Sequence, residues 1–175
     1  MKLGEFVAQN GIPLSRTEGQ YVFRQGEQDT SLYFVKTGLL KAYYLSADGK
    51  ENIKSFILPG DHIGSLMASH AGKPCSFSLL CLRPCELTKL PFATLYEAVR
   101  TDPEISAAAV DFLLNFAMKK EIREYELLCL SAEERYRRLM ENTPDLLKLV
   151  TQNEIARYLG VTPVGLSRIK KRVMA

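Results

Sequence analysis

Hydrophobic and polar positions change their period twice along this chain of 175 residues. Leu3 to Gly11 has the spacing of a short helix. From Tyr21 to Leu90 the apolar residues become aromatic and β-branched and fall into short runs: YVFRQGE, SLYFVKTGLLKAYYL, ENIKSFILPGDHIG, SFSLLCL and CELTKL. These runs predict strands, separated by turn chemistry at Gly26, Gly38, Asp48-Gly49, Pro59-Gly60 and Pro84. Asp48-Gly49 suits the tip of a hairpin. Short strands at this interval predict a sandwich or jelly roll.

After Pro91 the pattern is helical. Phe92 to Val99 predicts a short helix, and Thr101-Asp102-Pro103-Glu104 starts a long one that runs to about Leu130. Along it Ala108, Ala109, Phe112, Phe116 and Ile122 share one side, while Leu113, Leu114, Ala117 and Met118 widen the apolar surface. A helix apolar over so wide an arc needs cover from the β-region, from a partner helix, or from both, and both are expected. Ser131 and Glu134 form a capping box that restarts the helix after a hinge near Leu130. Tyr136, Leu139 and Met140 point inward, Thr143-Pro144 ends the segment, and Asp145 to Lys148 is a short turn.

The last stretch, TQNEIARYLGVTPVGLSRIKKRV, holds two short helical patterns that meet at Gly160. Thr151 and Glu154 form a capping box, and Ile155, Ala156 and Leu159 supply an apolar stripe. Gly160 turns the chain, Thr162 is a good N-cap and Pro163 suits the first helical turn. Leu166, Ile169 and Val173 face inward, which leaves Val164, Ser167, Arg168 and Lys171 on the opposite face. This is the layout of a helix-turn-helix. Thr151 to Ala175 contains five basic residues and one acid, whereas the remaining 150 residues hold 18 basic and 19 acidic. The net charge of +3 is therefore concentrated in the tail. A basic helix in that setting is the electrostatic footprint of duplex binding.

Composition narrows the remaining classes. With 46% hydrophobic residues the chain can bury a core. No apolar run approaches the roughly 20 residues of a membrane span. The N-terminus lacks an apolar signal region, so a cytoplasmic protein with reduced cysteines is expected. Cys75, Cys81, Cys85 and Cys129 are expected to be small core residues. His62 and His70 sit in no metal or haem motif, and no nucleophile–base pair stands out. A metal cupin would need a cluster of His and Glu ligands on neighbouring strands, so an enzyme on a jelly roll is not expected and no cofactor is assigned.

Gly26-Glu27, Leu32-Tyr33-Phe34-Val35 and Gly38 stand at the spacing of a landmark in the CRP/FNR family of bacterial transcription regulators. So do Pro59-Gly60-Asp61-His62-Ile63-Gly64, then Pro103-Glu104-Ile105, then Arg135 after the hinge. In this order, ending in a helix-turn-helix, they resemble that family over almost the whole chain. The resemblance implies an α+β fold: a double-stranded β-helix (jelly roll) over residues 1–100, a dimerisation helix over 101–130 and a helix-turn-helix domain over 131–175. It also implies a homodimer through the 101–130 helix, and double-stranded DNA with an inverted-repeat operator as partner.

The sequence departs from the family in three places. Cyclic-nucleotide binders of the family place a glutamate where this chain has Ser65 and an arginine where it has Cys75, beside Ser76. Lys120 and Glu121 stand where polar residues would meet the base. Without a cation a buried cyclic phosphate is poorly compensated, so cyclic AMP is not the expected effector. Ser65, Lys73, Cys75, Ser76 and Arg83 could line a pocket for an unknown small molecule, or the pocket is filled by side chains. Many relatives carry Arg-Glu-Thr-x-x-Arg in the recognition helix; here the stretch is Pro163-Val164-Gly165-Leu166-Ser167-Arg168, which retains the last arginine alone. Arg168 can still make a bidentate contact to guanine and Val164 can meet a thymine methyl, Lys170, Lys171 and Arg172 are expected at phosphates, and Thr162 and Ser167 complete the candidate DNA-binding set. The usual β-hairpin wing does not follow Ala175; either this branch manages without one or a longer chain carries it. The competing reading is a ligand-binding or protein-interaction module whose helix-turn-helix does not read DNA.

Overall fold

The computed structural model describes residues 2–174. Helix α1 (Leu3–Asn10) leads into β1 (Ile12–Arg16), β2 (Tyr21–Phe23), β3 (Ser31–Thr37), β4 (Leu40–Leu45), β5 (Glu51–Ile57) and β6 (His62–Ile63). A single helical turn, α2 (Leu66–Ser69), precedes β7 (Ser78–Cys81) and β8 (Cys85–Pro91). The strands form two four-stranded sheets, ordered β1-β8-β3-β6 and β2-β7-β4-β5, with every pairing antiparallel. Alternate residues point between the sheets, as the two-residue period of strands requires. Phe23, Tyr33, Val35, Leu40, Phe77, Leu79 and Leu87 fill that space. At the β3–β4 corner Gly38 has φ +100°, and a Cβ there would lie 2.4 Å from the Pro84 carbonyl oxygen. Only glycine fits both demands.

The expected strands are present, and the fold adds β1 and the single turn α2, which their pattern does not announce. β1 carries Pro13 and shows little burial contrast; its strand character comes from pairing with β8, Leu14 opposite Leu87. Asp48-Gly49 lies at the tip of the β4–β5 hairpin, with Gly49 at φ +80°. Below the tip the register slips: Tyr43 pairs with Ile53 and Ala42 with Ser55. Lys54 is left over as a bulge, which redirects its side chain.

Helices α3 (Phe92–Thr101) and α4 (Pro103–Cys129) follow. Asp102 caps α4 by accepting from the amides of Glu104 and Ile105. Ile105 and Ala109 are buried, and Ile105 joins α1 and α3 in a small core with Phe6, Leu90 and Leu95. One expectation for α4 needs correcting. Ile122 does not share the packed side with Phe112 and Phe116; it is 55% exposed, because the inward positions at that level are held by Lys120 and Arg123. At Leu130 the backbone turns extended, and α5 (Ala132–Asn142) restarts on the Ser131–Glu134 capping box. Then come α6 (Leu146–Leu149), α7 (Gln152–Leu159) and α8 (Pro163–Met174). Their core, including Tyr136, Leu139, Leu146, Ile155, Leu159, Leu166 and Ile169, is continuous with Leu39 of the β-region. Helix α7 packs on β5: the rings of Phe56 and Tyr158 lie 5.4 Å apart and Arg157 meets Glu51 at 2.6 Å. Among the described residues no helix is long and apolar enough to cross a membrane.

Candidate nucleic-acid interface and ligand cavity

The α7–α8 unit follows from its local chemistry. The Thr151 hydroxyl accepts from the Glu154 amide and the Glu154 carboxylate accepts from the Thr151 amide, so two otherwise orphaned donors are satisfied. Helix α7 ends on Gly160 at φ +71°, ψ +28°, the left-handed cap that lets the chain reverse. The Thr162 hydroxyl accepts from the Gly165 amide and starts α8. Ala156 is fully buried where α7 and α8 approach. Leu166 and Ile169 anchor α8, which turns Val164, Ser167, Arg168 and Lys171 out into solvent on one face. Thr162 stands at the head of that face. Lys170 and Arg172 lie at its flanks and already have partners: Lys170 donates to Gln152 at 3.0 Å, and Arg172 bonds Glu133 of α5 at 3.0 Å. Gln152, at the exposed start of α7, joins Ser167, Lys170 and Lys171 around a shallow depression. Sequence reasoning passed over Gln152; its place directly after the Thr151 cap is the signal that could have found it.

In the β-region Ser65 and Cys75 come together and are buried, the Ser65 hydroxyl beside the thiol without forming a hydrogen bond of normal geometry. The Cys75 thiol donates to the Asp29 carbonyl, and burial pushes its pKa up. Asp29 also accepts from the Tyr33 hydroxyl, at 2.8 Å. Burial and this carboxylate both push the Tyr33 phenol up. Lys73 and Ser76 are exposed on the segment that carries Cys75. Arg83 does not join them. It donates to the Leu149 carbonyl of α6 and pairs with Glu18, because the β7–β8 turn that carries it faces the C-terminal helices.

A cavity of about 470 Å³ lies elsewhere, between β5–β6, α4 and the α5–α7 region. Its wall includes Lys54, Lys120, Arg123, Arg135, Phe116 and Tyr158. Lys120 and Arg135 drew attention in the sequence. Lys54 and Arg123 did not, because no local motif links residues contributed by five separate elements.

The cysteines divide. Cys75, Cys81 and Cys85 are buried, and burial pushes the Cys81 thiol up to about 12. Cys129 is exposed, contrary to expectation, because α4 ends there before the chain turns inward. No group of three or more His, Cys, Asp or Glu side chains that could hold a metal ion occurs among the described residues.

Residues 14–102 match the family described as cyclic nucleotide-binding domain. The transcriptional activator protein Anr of Pseudomonas protegens is 28% identical over 95% of this chain and 71% of its own length. The anaerobic regulatory protein of Aggregatibacter actinomycetemcomitans is 27% identical over 89% of this chain and 64% of its own. The chain thus spans about two thirds of the length of these relatives. Among solved structures, FixK2 from Bradyrhizobium japonicum has the same fold, with a TM-score of 0.80 and 19% identity over 94% of this chain and 84% of that one. A cyclic nucleotide-binding domain over residues 14–102, together with similarity to transcription regulators along nearly the whole chain, places it in the CRP/FNR family of bacterial transcription regulators.

Proposed function

We propose that the protein is a dimeric, sequence-specific DNA-binding regulator of transcription whose β-domain does not answer to cyclic AMP. The observation that carries this reading is the open face of α8, where Val164, Ser167, Arg168 and Lys171 are exposed while Leu166 and Ile169 are buried. In this reading α7 and α8 are a helix-turn-helix, and α8 enters the major groove. Arg168 makes a bidentate contact to guanine, Val164 meets a thymine methyl, and Ser167 reads beside them. Thr162, Lys170, Lys171, Arg172 and the start of α7 meet phosphates, which set position rather than sequence. Lys170 and Arg172 exchange their present partners, Gln152 and Glu133, for phosphates when DNA is bound.

The domains are those the family comparison implies: a jelly-roll sensory domain over 1–100, a dimerisation helix over 101–130 and the DNA-binding domain over 131–175, in a cytoplasmic protein. Dimerisation is supported by α4, on which Val110, Leu114, Met118, Tyr125 and Leu128 are each at least half exposed. They recur at nearly heptad spacing, and an apolar stripe of this length on a surface marks an association site. Paired α4 helices would place two α8 helices about 34 Å apart on one side of the duplex, so the operator is an inverted repeat. The loss of cyclic AMP recognition is supported by the Ser65–Cys75 contact, which holds a buried thiol and no cation where the phosphate would lie.

The test is selection from a pool of random duplexes by the purified protein at two salt concentrations. An enriched inverted repeat, held less tightly as salt rises, is the expected result. Recovery of no common sequence under any condition, with α8 intact, would overturn the reading in favour of an interaction module.

A further inference from the structure

Helix α5 carries three arginines, and the fold sends them in three directions. Arg135 turns inward and donates to the Leu130, Glu126 and Leu159 carbonyls. Arg138 lies against α4, 3.7 Å from Glu126. Arg137 stays on the outer surface and meets Glu133, one turn back on its own helix, at 3.1 Å. Glu133 also receives Arg172 of α8, at 3.0 Å. The two guanidinium groups take different oxygens of the one carboxylate, Arg137 at Oε1 and Arg172 at Oε2. Both arginines are more than half exposed, at 52% and 62%, while Glu133 between them is 30% exposed.

The packing of α5 does not call for this arrangement. Glu134, not Glu133, closes the capping box with Ser131. Tyr136 and Leu139 bury the inner face of the helix. Exposed ion pairs contribute little to stability. What the cluster does is set charge. Hydrogen bonds from Arg137 first, and then from Arg172, hold the Glu133 carboxyl below the usual carboxylate range, so it is ionised at neutral pH. Two guanidinium cations against one carboxylate leave a single positive charge at the flank of α8. Arg172 stands one turn after Arg168, beside the open face of that helix, and the shared carboxylate holds Arg137 at the same edge. A phosphate offers arginine the same paired anionic oxygens that a carboxylate does.

We propose that Arg137 is a further contact to the DNA backbone, and that Glu133 is a built-in competitor that occupies Arg137 and Arg172 in the free protein in place of a phosphate. This proposal rests on the DNA-binding reading and deepens it. Binding transfers two guanidinium groups from carboxylate to phosphate oxygens, and the carboxylate left beside the duplex repels it. Phosphate contacts carry no sequence information. Glu133 therefore lowers affinity for every duplex alike and leaves the choice of bases to Arg168 and Val164. Nothing in the pattern of α8 marks Arg137, because it belongs to another helix and reaches the interface only through the carboxylate that it shares with Arg172.

The test is fluorescence anisotropy of the whole protein with a labelled mixed-sequence duplex of about 30 base pairs, long enough for two successive major grooves, at several salt concentrations. At about 0.1 M salt Glu133→Gln should bind about threefold to tenfold more tightly, with a salt slope steeper by about 1. Arg137→Met should bind more weakly by a similar factor, with a slope shallower by about 1. The double variant restores the net charge of the cluster and should return close to the native values. Glu141→Gln makes the same charge change about 12 Å further along α5, beyond a Debye length, and should shift affinity by less than about twofold. A Glu133→Gln variant that gains no more than Glu141→Gln overturns the competitor. Unchanged affinity and slope in Arg137→Met, or a double variant that keeps the full gain, overturns the contact. In each of those cases duplex binding by the native protein leaves the DNA reading standing. If neither the native protein nor Glu133→Gln holds duplex at low salt, that reading fails and the proposal falls with it.

Discussion

Two side chains one turn apart on α8 illustrate how the same charge does different work. Arg168 presents a planar fork that can match guanine, whereas Lys171 presents a point charge on a flexible stem. Arg168→Ala is expected to cost about 1–3 kcal/mol on the selected operator and to relax preference at one base position. Lys171→Ala should weaken all duplexes alike and lower the salt slope by about 1. Competition binding at several salt concentrations separates the two outcomes. Lys54 makes a residue-scale prediction of another kind. Its pKa falls from 10.5 to about 7 on folding, so between these values the unfolded chain holds more protons. Stability contributed through this group therefore rises with pH across that window. Lys120 acts in the same direction, and the buried thiols oppose it only where free thiols ionise, near pH 9. Urea midpoints at about pH 7 and about pH 8.5 should increase in the native protein and differ less in Lys54→Met.

At the level of elements, the Gly160 turn and the α4 stripe carry separate expectations. A Cβ at Gly160 would meet no atom within 4 Å, so Gly160→Ala incurs only the left-handed backbone penalty of φ +71°. That is about 1–2 kcal/mol, visible as a melting temperature a few degrees lower. The turn still forms, because the Thr151 and Thr162 caps remain. Helix α4 behaves differently. Leu114 is 58% exposed and Met118 52%, so changing both to Glu removes no internal contact of weight in a single chain. The double variant should keep its melting profile and sediment as a monomer; a dimer that survives it would mean that another surface pairs the chains.

Across the molecule, the C-terminal helices are docked on the β-region through one charged seam. Lys41, 5% exposed, lies 3.0 Å from Glu51 and 3.8 Å from Glu154, and Arg157 reaches Glu51 from α7. Lys41→Met leaves two partly buried carboxylates short of a partner, though Arg157 and the Thr151 amide still engage them. A loss of about 1–3 kcal/mol follows, read by denaturant titration. Because the seam joins the two halves of the molecule, the same variant should speed proteolysis in the hinge near Leu130 more than it lowers global stability.

Strands β3, β4, β5 and β8, the helix from Pro103 to Cys129 and the α7–α8 turn could all be read from the chain, because each is dictated locally. Alternation of apolar residues, the Ser131 and Thr151 capping boxes and a glycine forced to positive φ act over a few neighbouring residues. The exposed face of α8 follows from the same period. Other features depend on partners distant in sequence. β1 is a strand because β8 offers it an edge, Ile122 is exposed because Lys120 and Arg123 take the inner face of α4, and Arg83 belongs to α6 rather than to Ser65. The cavity is the extreme case: Lys54, Lys120, Arg123 and Arg135 are brought together by a bulge, a helix and a hinge. Periodicity states which way a side chain points relative to its own element, whereas packing decides what stands opposite, and a site built across elements exists only once they are packed.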